Sequence, residues 1–307
     1  MSEANQPLPS EEPRPEEPRP EEPRPEEPGP EEPRPQDPAQ PAADAGPQNS
    51  ASHARPGFGA ALADWRRDVF LALGFFTRLP IPAVSGHLGA AARAFPFAGL
   101  IVGLIGALVY FVAMEIGLSG LLAALLAVAA TGIVTGALHE DGWADVCDAL
   151  GARGGVERRL EILRDSRLGS YGGLALIFST SIKVAAIANL GAPELVAGAL
   201  IAAHTLARGV LPLVMARMPL ARSNGLAVDA GRPSITAANW SLIIALIIAV
   251  IAVAPVAALV ALLAALAATW AVAKLAQAKF GGYTGDVLGA VEQVAEMAIL
   301  VNLITLT

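Results

Sequence analysis

A transmembrane helix needs about 20 predominantly apolar residues, and this 307-residue chain supplies such a run again and again. Phe95–Met114 and Leu118–Leu138 qualify at once. Gly173–Leu190 is shorter and contains Lys183, and Leu195–Met218 contains His204 and Arg208. Trp240–Gln277 is too long for one crossing and is divided at Pro255, which leaves a short first half; Val287–Leu306 completes the set. The expected fold class is therefore all-α, a polytopic membrane helix bundle of about seven transmembrane helices. Ahead of them, Trp65–Phe76 is apolar but interrupted by Arg66, Arg67 and Asp68. It reads as an interfacial or re-entrant helix stopped by Pro80 and Pro82, with an eighth, partial span as the alternative. Small residues such as Gly99, Gly103 and Gly106 let helices approach closely in lipid, so the bundle should be compact.

Basic residues orient this bundle, because cytoplasmic loops collect Arg and Lys. Arg66, Arg67, Arg78 and Arg93 precede the first span, and the loop near Gly117 has no base. His139–Gly172 carries Arg153, Arg158, Arg159, Arg164 and Arg167, whereas Gly191–Glu194 has none. Arg217, Arg222 and Arg232 mark the next loop, the turn at Pro255 is base-free, and Lys274 and Lys279 close the series. This alternation places the N-terminus in the cytoplasm, the C-terminus outside, and the chain in the inner membrane with its polar chemistry facing the cytoplasm.

The formal charge of −7 comes from one end. Residues 1–56 hold 13 acids against 5 bases, and the remaining residues 15 acids against 16 bases. Neither balance fits a nucleic-acid partner, which would call for a basic stripe. The block EEPRP recurs five times from Glu11 to Pro35, once with Gly29 in place of Arg. Proline at that density forbids helices and ladders, and nothing apolar is present to collapse upon. Residues 1–60 thus read as a disordered Pro/Glu-rich tail and linker, either a spacer or a docking ligand, and residues 61–307 as the integral-membrane catalytic domain. The N-terminus lacks the basic-then-apolar order of a secretion signal. A lone cysteine, Cys147, excludes an intramolecular disulfide and a thiolate metal cluster.

Three polar motifs stand against the apolar background. In HEDGWADVCDAL (His139–Leu150), Asp141, Asp145 and Asp148 are spaced four and three apart, so they share about 60° of one helix face. Three carboxylates on one stripe repel one another, and an all-oxygen set suits Mg²⁺ or Mn²⁺. His139 and Glu140 fall off that stripe. In RRLEILRDSRLGSYGG (Arg158–Gly173), an amphipathic surface helix leads to Asp165 and Arg167, with Gly169, Gly172 and Gly173 beside them as a candidate phosphate site. GGYTGDVLGA (Gly281–Ala290) sets Asp286 just before the last span, where it can join the same cluster. Glu292 and Glu296 lie inside that span and call for partners, for which Lys183, His204 and Arg208 are the candidates. Functional and purely structural ion pairing are both open for that group.

Together and in this order, the three motifs resemble the adenosylcobinamide-GDP ribazoletransferase family, also called cobalamin 5′-phosphate synthase. FFTRLPIP (Phe75–Pro82) and FPFAGLIVG (Phe95–Gly103) resemble its opening, and Glu296 best matches its downstream glutamate. The likeness runs from about Asp64 to the C-terminus and omits the tail. It implies the last assembly step of the cobalamin nucleotide loop: α-ribazole or its 5′-phosphate attacks the cobinamide-linked phosphorus of adenosylcobinamide-GDP and expels GMP, with Mg²⁺ as cofactor. On that reading Asp141, Asp145 and Asp148 hold the metal, while Asp165 and Asp286 complete its shell or orient the attacking hydroxyl. Arg167 and Arg208 stabilise the leaving GMP, and His204 is the candidate general base. Glu140 departs from the uncharged residue expected after the histidine. Oligomeric state is left open.

Two other functions fit parts of the pattern. A CDP-alcohol phosphotransferase also gathers aspartates around Mg²⁺ at a membrane-helix end, but its usual motif spacing is absent. An ion-coupled transporter would line a path with Lys183, His204, Glu292 and Glu296, whereas most polar residues here lie toward one face.

Overall fold

The computed structural model describes residues 58–165 and 167–306. The repeat block lies outside the described residues. Helix α1 (Phe58–Phe76) begins within the stretch expected to be linker, where Ala60, Ala61 and Ala63 favour helix. It ends before Pro80, as the proline pair requires. After a short 3-10 turn (Ala92–Ala94) come α2 (Phe95–Glu115), α3 (Gly120–Thr135), α4 (Leu138–Gly151), α5 (Val156–Ile162) and α6 (Ser170–Leu190). The second half comprises α7 (Pro193–Gly209), α8 (Leu211–Arg217), α9 (Leu226–Asp229), α10 (Ile235–Ala252), α11 (Pro255–Phe280) and α12 (Gly285–Ile304). Among the described residues there is no strand, only an isolated bridge between Leu220 and Tyr283.

Among the described residues, six segments are long and apolar enough to cross a membrane: α2, α6, α7 with α8, α10, α11 and α12. Helices α3 and α4 satisfy the same test only as a bent pair, which brings the number to seven. The stretch read as one span, Leu118–Leu138, is thus broken near its end. Gly136 and Ala137 both adopt left-handed backbone (φ 64° and 53°), and α4 leaves at 92° to α3. A left-handed residue after a helix is a common stop; two in succession redirect the chain. We take α3 as the crossing portion and α4 as a helix running across the end of the bundle. The division at Pro255 holds, with Pro255 as the first residue of α11 and α10 reaching 18 residues.

At the centre lies α7, buried along nearly its whole length from Val196 into α8 at Met215. Helix α2 packs so closely on it that a Cβ at Gly99 would strike the His204 carbonyl, and one at Gly103 would lie 2.8 Å from the Ile201 Cα. Helix α11 shows the two-sided logic of a membrane bundle. Ala258, Ala261, Ala265 and Ala268 face inward and are buried, whereas Leu259, Leu263 and Trp270 are exposed. Outward apolar side chains at helical spacing recur on α2 (Leu104, Leu108, Phe111) and α10 (Ile243, Ile247, Ile251). Such stripes belong against lipid, and small inward faces allow close helix packing.

Candidate active site

The bend at Ala137 turns the acidic helix α4 against the start of α12. Their backbones touch through two glycines. A Cβ on Gly142 would lie 2.9 Å from the Asp286 Cα, and one on Gly289 would lie 3.0 Å from the His139 carbonyl. Asp286 is thereby brought beside Asp141, and both line one cavity. Thr284 caps α12 by accepting from the Val287 N–H at 3.2 Å, and its hydroxyl donates to Asp286 Oδ2 at 3.1 Å. The preceding segment is pinned to the loop after α8: Tyr283 N–H donates to the Pro219 carbonyl and Ala221 N–H to the Tyr283 carbonyl, each at 2.9 Å. That pairing carries Arg222 to 3.4 Å from Asp286 Oδ2. In the sequence Arg222 served only to orient a loop; its proximity to Asp286 follows from the bridge, which no local motif announces.

Asp141 is exposed and Asp145 half-buried, as a stripe at a helix surface should be. Burial first, then the negative charges of Asp141, Asp286, Asp148 and Asp165, push the Asp145 carboxyl up to about 7. Four acids therefore act on this one carboxyl. Asp148 has an additional task. Its two oxygens accept from the backbone N–H groups of Gly169 (2.7 Å) and Gly172 (2.9 Å), so it caps α6 from outside, in the manner of an N-cap acid. Two of the amides expected to serve a phosphate are thus engaged by the protein's own carboxylate. Asp165 and Arg167 lie just before α6 and pair with each other through Nε at 2.9 Å and Nη2 at 2.6 Å. Those hydrogen bonds hold the Asp165 carboxyl down at about 2, so it stays ionised.

His204 and Arg208 do not join this face. They lie in a second cluster inside the bundle, together with His139, Lys183, Glu292 and Glu296, all of them buried. Arg208 Nη1 is 2.6 Å from Glu292 Oε1 and 3.1 Å from His204 Nδ1. Lys183 lies 3.4 Å from Glu140 and 3.6 Å from Glu296, and donates to the Gln293 side chain at 3.0 Å. Gln293 in turn donates to Glu292 (3.0 Å) and Glu140 (3.2 Å). The partners expected for Glu292 and Glu296 are therefore the ones observed. Glu140, the unexpected acid after the histidine, answers Lys183. Gln293, which carries no charge and drew no attention in the sequence, is the hub of this network. Residues suited to lining a transport path are instead tied to one another.

The two clusters differ as metal sites. Among the described residues, only His204, Glu292 and Glu296 bring ligand atoms within 4.8 Å of one another. That group already has Arg208 and Lys183 against its carboxylates, so a metal there would meet two fixed cations. The aspartate face is more open and acid-rich, with Arg222 at Asp286 and the exposed Arg167 at Asp165. Mg²⁺ keeps several waters and is commonly held by one or two carboxylates plus substrate phosphates, not by a closed protein cage. The donor set of the aspartate face fits such an ion.

Comparison with known proteins identifies the family of the chain. Residues 68–304 match the cobalamin-5-phosphate synthase family. The chain is 45% identical over 237 residues to the adenosylcobinamide-GDP ribazoletransferase of Bradyrhizobium diazoefficiens, covering 76% of this chain and 91% of that protein. It is 44% identical over 236 residues to the Mesorhizobium japonicum enzyme of the same name, covering 76% and 91%. With the Azorhizobium caulinodans enzyme it shares 41% over 250 residues, covering 77% and 95%. No solved structure matches. The match spans α2 through α12, including both clusters, and the chain belongs to the cobalamin-5-phosphate synthase family.

Proposed function

We propose that this chain is a Mg²⁺-dependent adenosylcobinamide-GDP ribazoletransferase, and that the aspartate face is where the transfer occurs. The observation that carries the reading is the convergence of Asp141, Asp145, Asp148, Asp165 and Asp286 on one end of the bundle. Phosphoryl transfer asks for positioning and charge neutralisation more than covalent chemistry. Asp141, Asp145 and Asp286 are the residues that would hold the ion, with Asp148 contributing whatever lone pairs its two backbone bonds leave. When bound, Mg²⁺ supplies neutralisation of the pyrophosphate charge.

The rest falls to the chain's own groups. A ribazole hydroxyl forms the new bond to the cobinamide-linked phosphorus, the bond to GMP breaks, and the hydroxyl proton passes to solvent water. Arg222, beside Asp286, is the guanidinium best placed to meet a phosphate; Arg208 is committed to Glu292. Arg167 is exposed and can exchange Asp165 for the departing GMP. Gly142 and Gly289 keep α4 and α12 in contact, so the donors on both helices stay in register. His204 and Arg208 act as positioning residues, holding Glu292 and Glu296 under the site. The basic loops favour a cytoplasmic site in the inner membrane.

The test is a membrane-fraction assay with adenosylcobinamide-GDP and α-ribazole 5′-phosphate, following GMP with and without Mg²⁺. Mg²⁺-dependent GMP matched by a cobalamin product is the expected result. GMP release without that product, or no release from well-inserted protein, overturns the proposal.

A further inference from the structure

His139 links the two clusters, and one of its ring nitrogens is left over. The residue stands off the acidic stripe of α4 and is only 3% exposed. Its Nδ1 faces the interior, 3.4 Å from Arg208 Nη2 and 3.5 Å from Glu292 Oε2. Its Nε2 is buried and has no hydrogen-bond partner among the described residues. The ring also lines a cavity of ≈110 Å³ together with Asp141 and Asp286, and it leans on Phe76 at 5.6 Å between ring centroids. The two nitrogens of an imidazole diverge across the ring. With Nδ1 turned to the interior cluster, Nε2 is the nitrogen presented to the cavity.

Arg208 decides which nitrogen carries the proton. A guanidinium can only donate, so the Nδ1 that faces it is the acceptor, and the ring proton lies on Nε2. Glu292 does not reverse this assignment. Its Oε1 lies 2.6 Å from Arg208 Nη1, and its Oε2 already accepts from the Gln293 amide at 3.0 Å. His139 therefore offers one N–H to the cavity. A buried donor left unmet costs about 1–3 kcal/mol. Asp141 and Asp286 do not reach it, and the Phe95, Leu211 and Met215 side chains of the wall offer no acceptor.

The neighbours of this donor select its guest. An ion held by Asp141 and Asp286 draws substrate phosphate to these same residues. A phosphoryl oxygen accepts and never donates, and it gathers charge as transfer proceeds, so a fixed N–H beside it strengthens in the transition state. A nucleoside hydroxyl needs an acceptor for its own proton, and His139 in this tautomer supplies none. We propose that His139 donates through Nε2 to a phosphoryl oxygen of the nucleotide-bearing substrate, with Arg208 as the positioning residue that fixes its tautomer. The proposal rests on the transfer reading above and joins the interior cluster to the chemistry through one ring.

Two amides test it. In the full-length protein in membranes, His139→Gln sets an amide N–H where Nε2 was, and His139→Asn sets one where Nδ1 was. The Gln variant keeps kcat for GMP release within about five-fold. The Asn variant loses about 10²-fold, the scale for one missing donor to a developing oxyanion. KM for α-ribazole stays within about two-fold in both. A histidine that only packs against Arg208 gives the reverse order. An Asn variant that turns over as well as the Gln variant, or better, therefore overturns the proposal, as does a loss confined to KM for α-ribazole. A second readout needs no turnover: solid-state ¹⁵N spectra of the histidine-labelled, unaltered protein, assigned with single variants of the other three histidines. His139 should be neutral with its proton on Nε2, and that resonance should move when Mg²⁺ and inorganic pyrophosphate are added. A proton on Nδ1, or a resonance that stays in place, refutes the site. Should the unaltered protein release no GMP, the transfer reading fails on its own account. These spectra then decide for His139, as they do if neither variant inserts.

Discussion

The aspartate face and the buried ion cluster use the same kinds of side chain and are built on opposite terms. In the interior, each carboxylate meets a fixed cation or an amide: Glu292 has Arg208 and Gln293, Glu296 has Lys183, and Glu140 has Lys183 and Gln293. At the bundle end, Asp141 and Asp145 meet no such cation among the described residues, and burial together with the neighbouring carboxylates drives Asp145 up to about 7. Charges that must stay buried have to be paired by the chain, since an unpaired one is expensive in lipid. Carboxylates left crowded at a surface are suited to an ion that comes and goes with substrate.

The sharpest way to break this contrast is to remove one acid from the surface set. Asp286→Ala is expected to lower kcat for GMP release by about 10³-fold, the scale of several kcal/mol of lost charge stabilisation, while the protein inserts normally. Wild-type turnover by that variant would detach the chemistry from the aspartate face. Removing an interior charge should do the reverse. Arg208→Ala strands Glu292 and is expected to lose about 3–5 kcal/mol of stability, read as a lowered Tm in detergent. The double change Arg208→Met with Glu292→Leu should recover much of that loss. A double variant that is stable yet inactive would return Arg208 to the catalytic residues.

Smaller effects sharpen the picture. Because the Asp145 carboxyl is raised to about 7, it takes up a proton as pH falls through neutrality and then competes with a cation. The Mg²⁺ concentration for half-maximal rate should therefore rise several-fold between pH 7 and pH 6, with activity restored by excess Mg²⁺. A pH-independent requirement would argue against Asp145 as a ligand. Asp148→Asn keeps one acceptor oxygen of the two that hold α6, so a stability loss of about 1 kcal/mol is expected, on the scale of an N-cap.

The spans were legible because hydrophobicity alone determines what enters a bilayer, and Pro255 divides its long run where a helix can start but not continue. The acidic stripe was legible because spacing on one helix is a local property. The right-angle break at Gly136–Ala137 was hidden inside an apolar run; Gly136 near the end of that run was the available signal. Partners far apart in sequence were the hardest. His204 and Arg208, four residues apart, announced a shared face. Glu140 and Lys183, or Asp148 and the amides of Gly169 and Gly172, meet only because α4 crosses to α6. Arg222 reaches Asp286 only through the bridge at Tyr283.

The most direct measurement is Mn²⁺ binding, followed by electron paramagnetic resonance, to solubilised full-length protein and to two variants, one from each cluster. The account predicts that Asp145→Asn weakens binding ten-fold or more, while Glu296→Gln binds Mn²⁺ like the unaltered protein. Binding that survives Asp145→Asn and is lost in Glu296→Gln would place the metal in the interior cluster and contradict it.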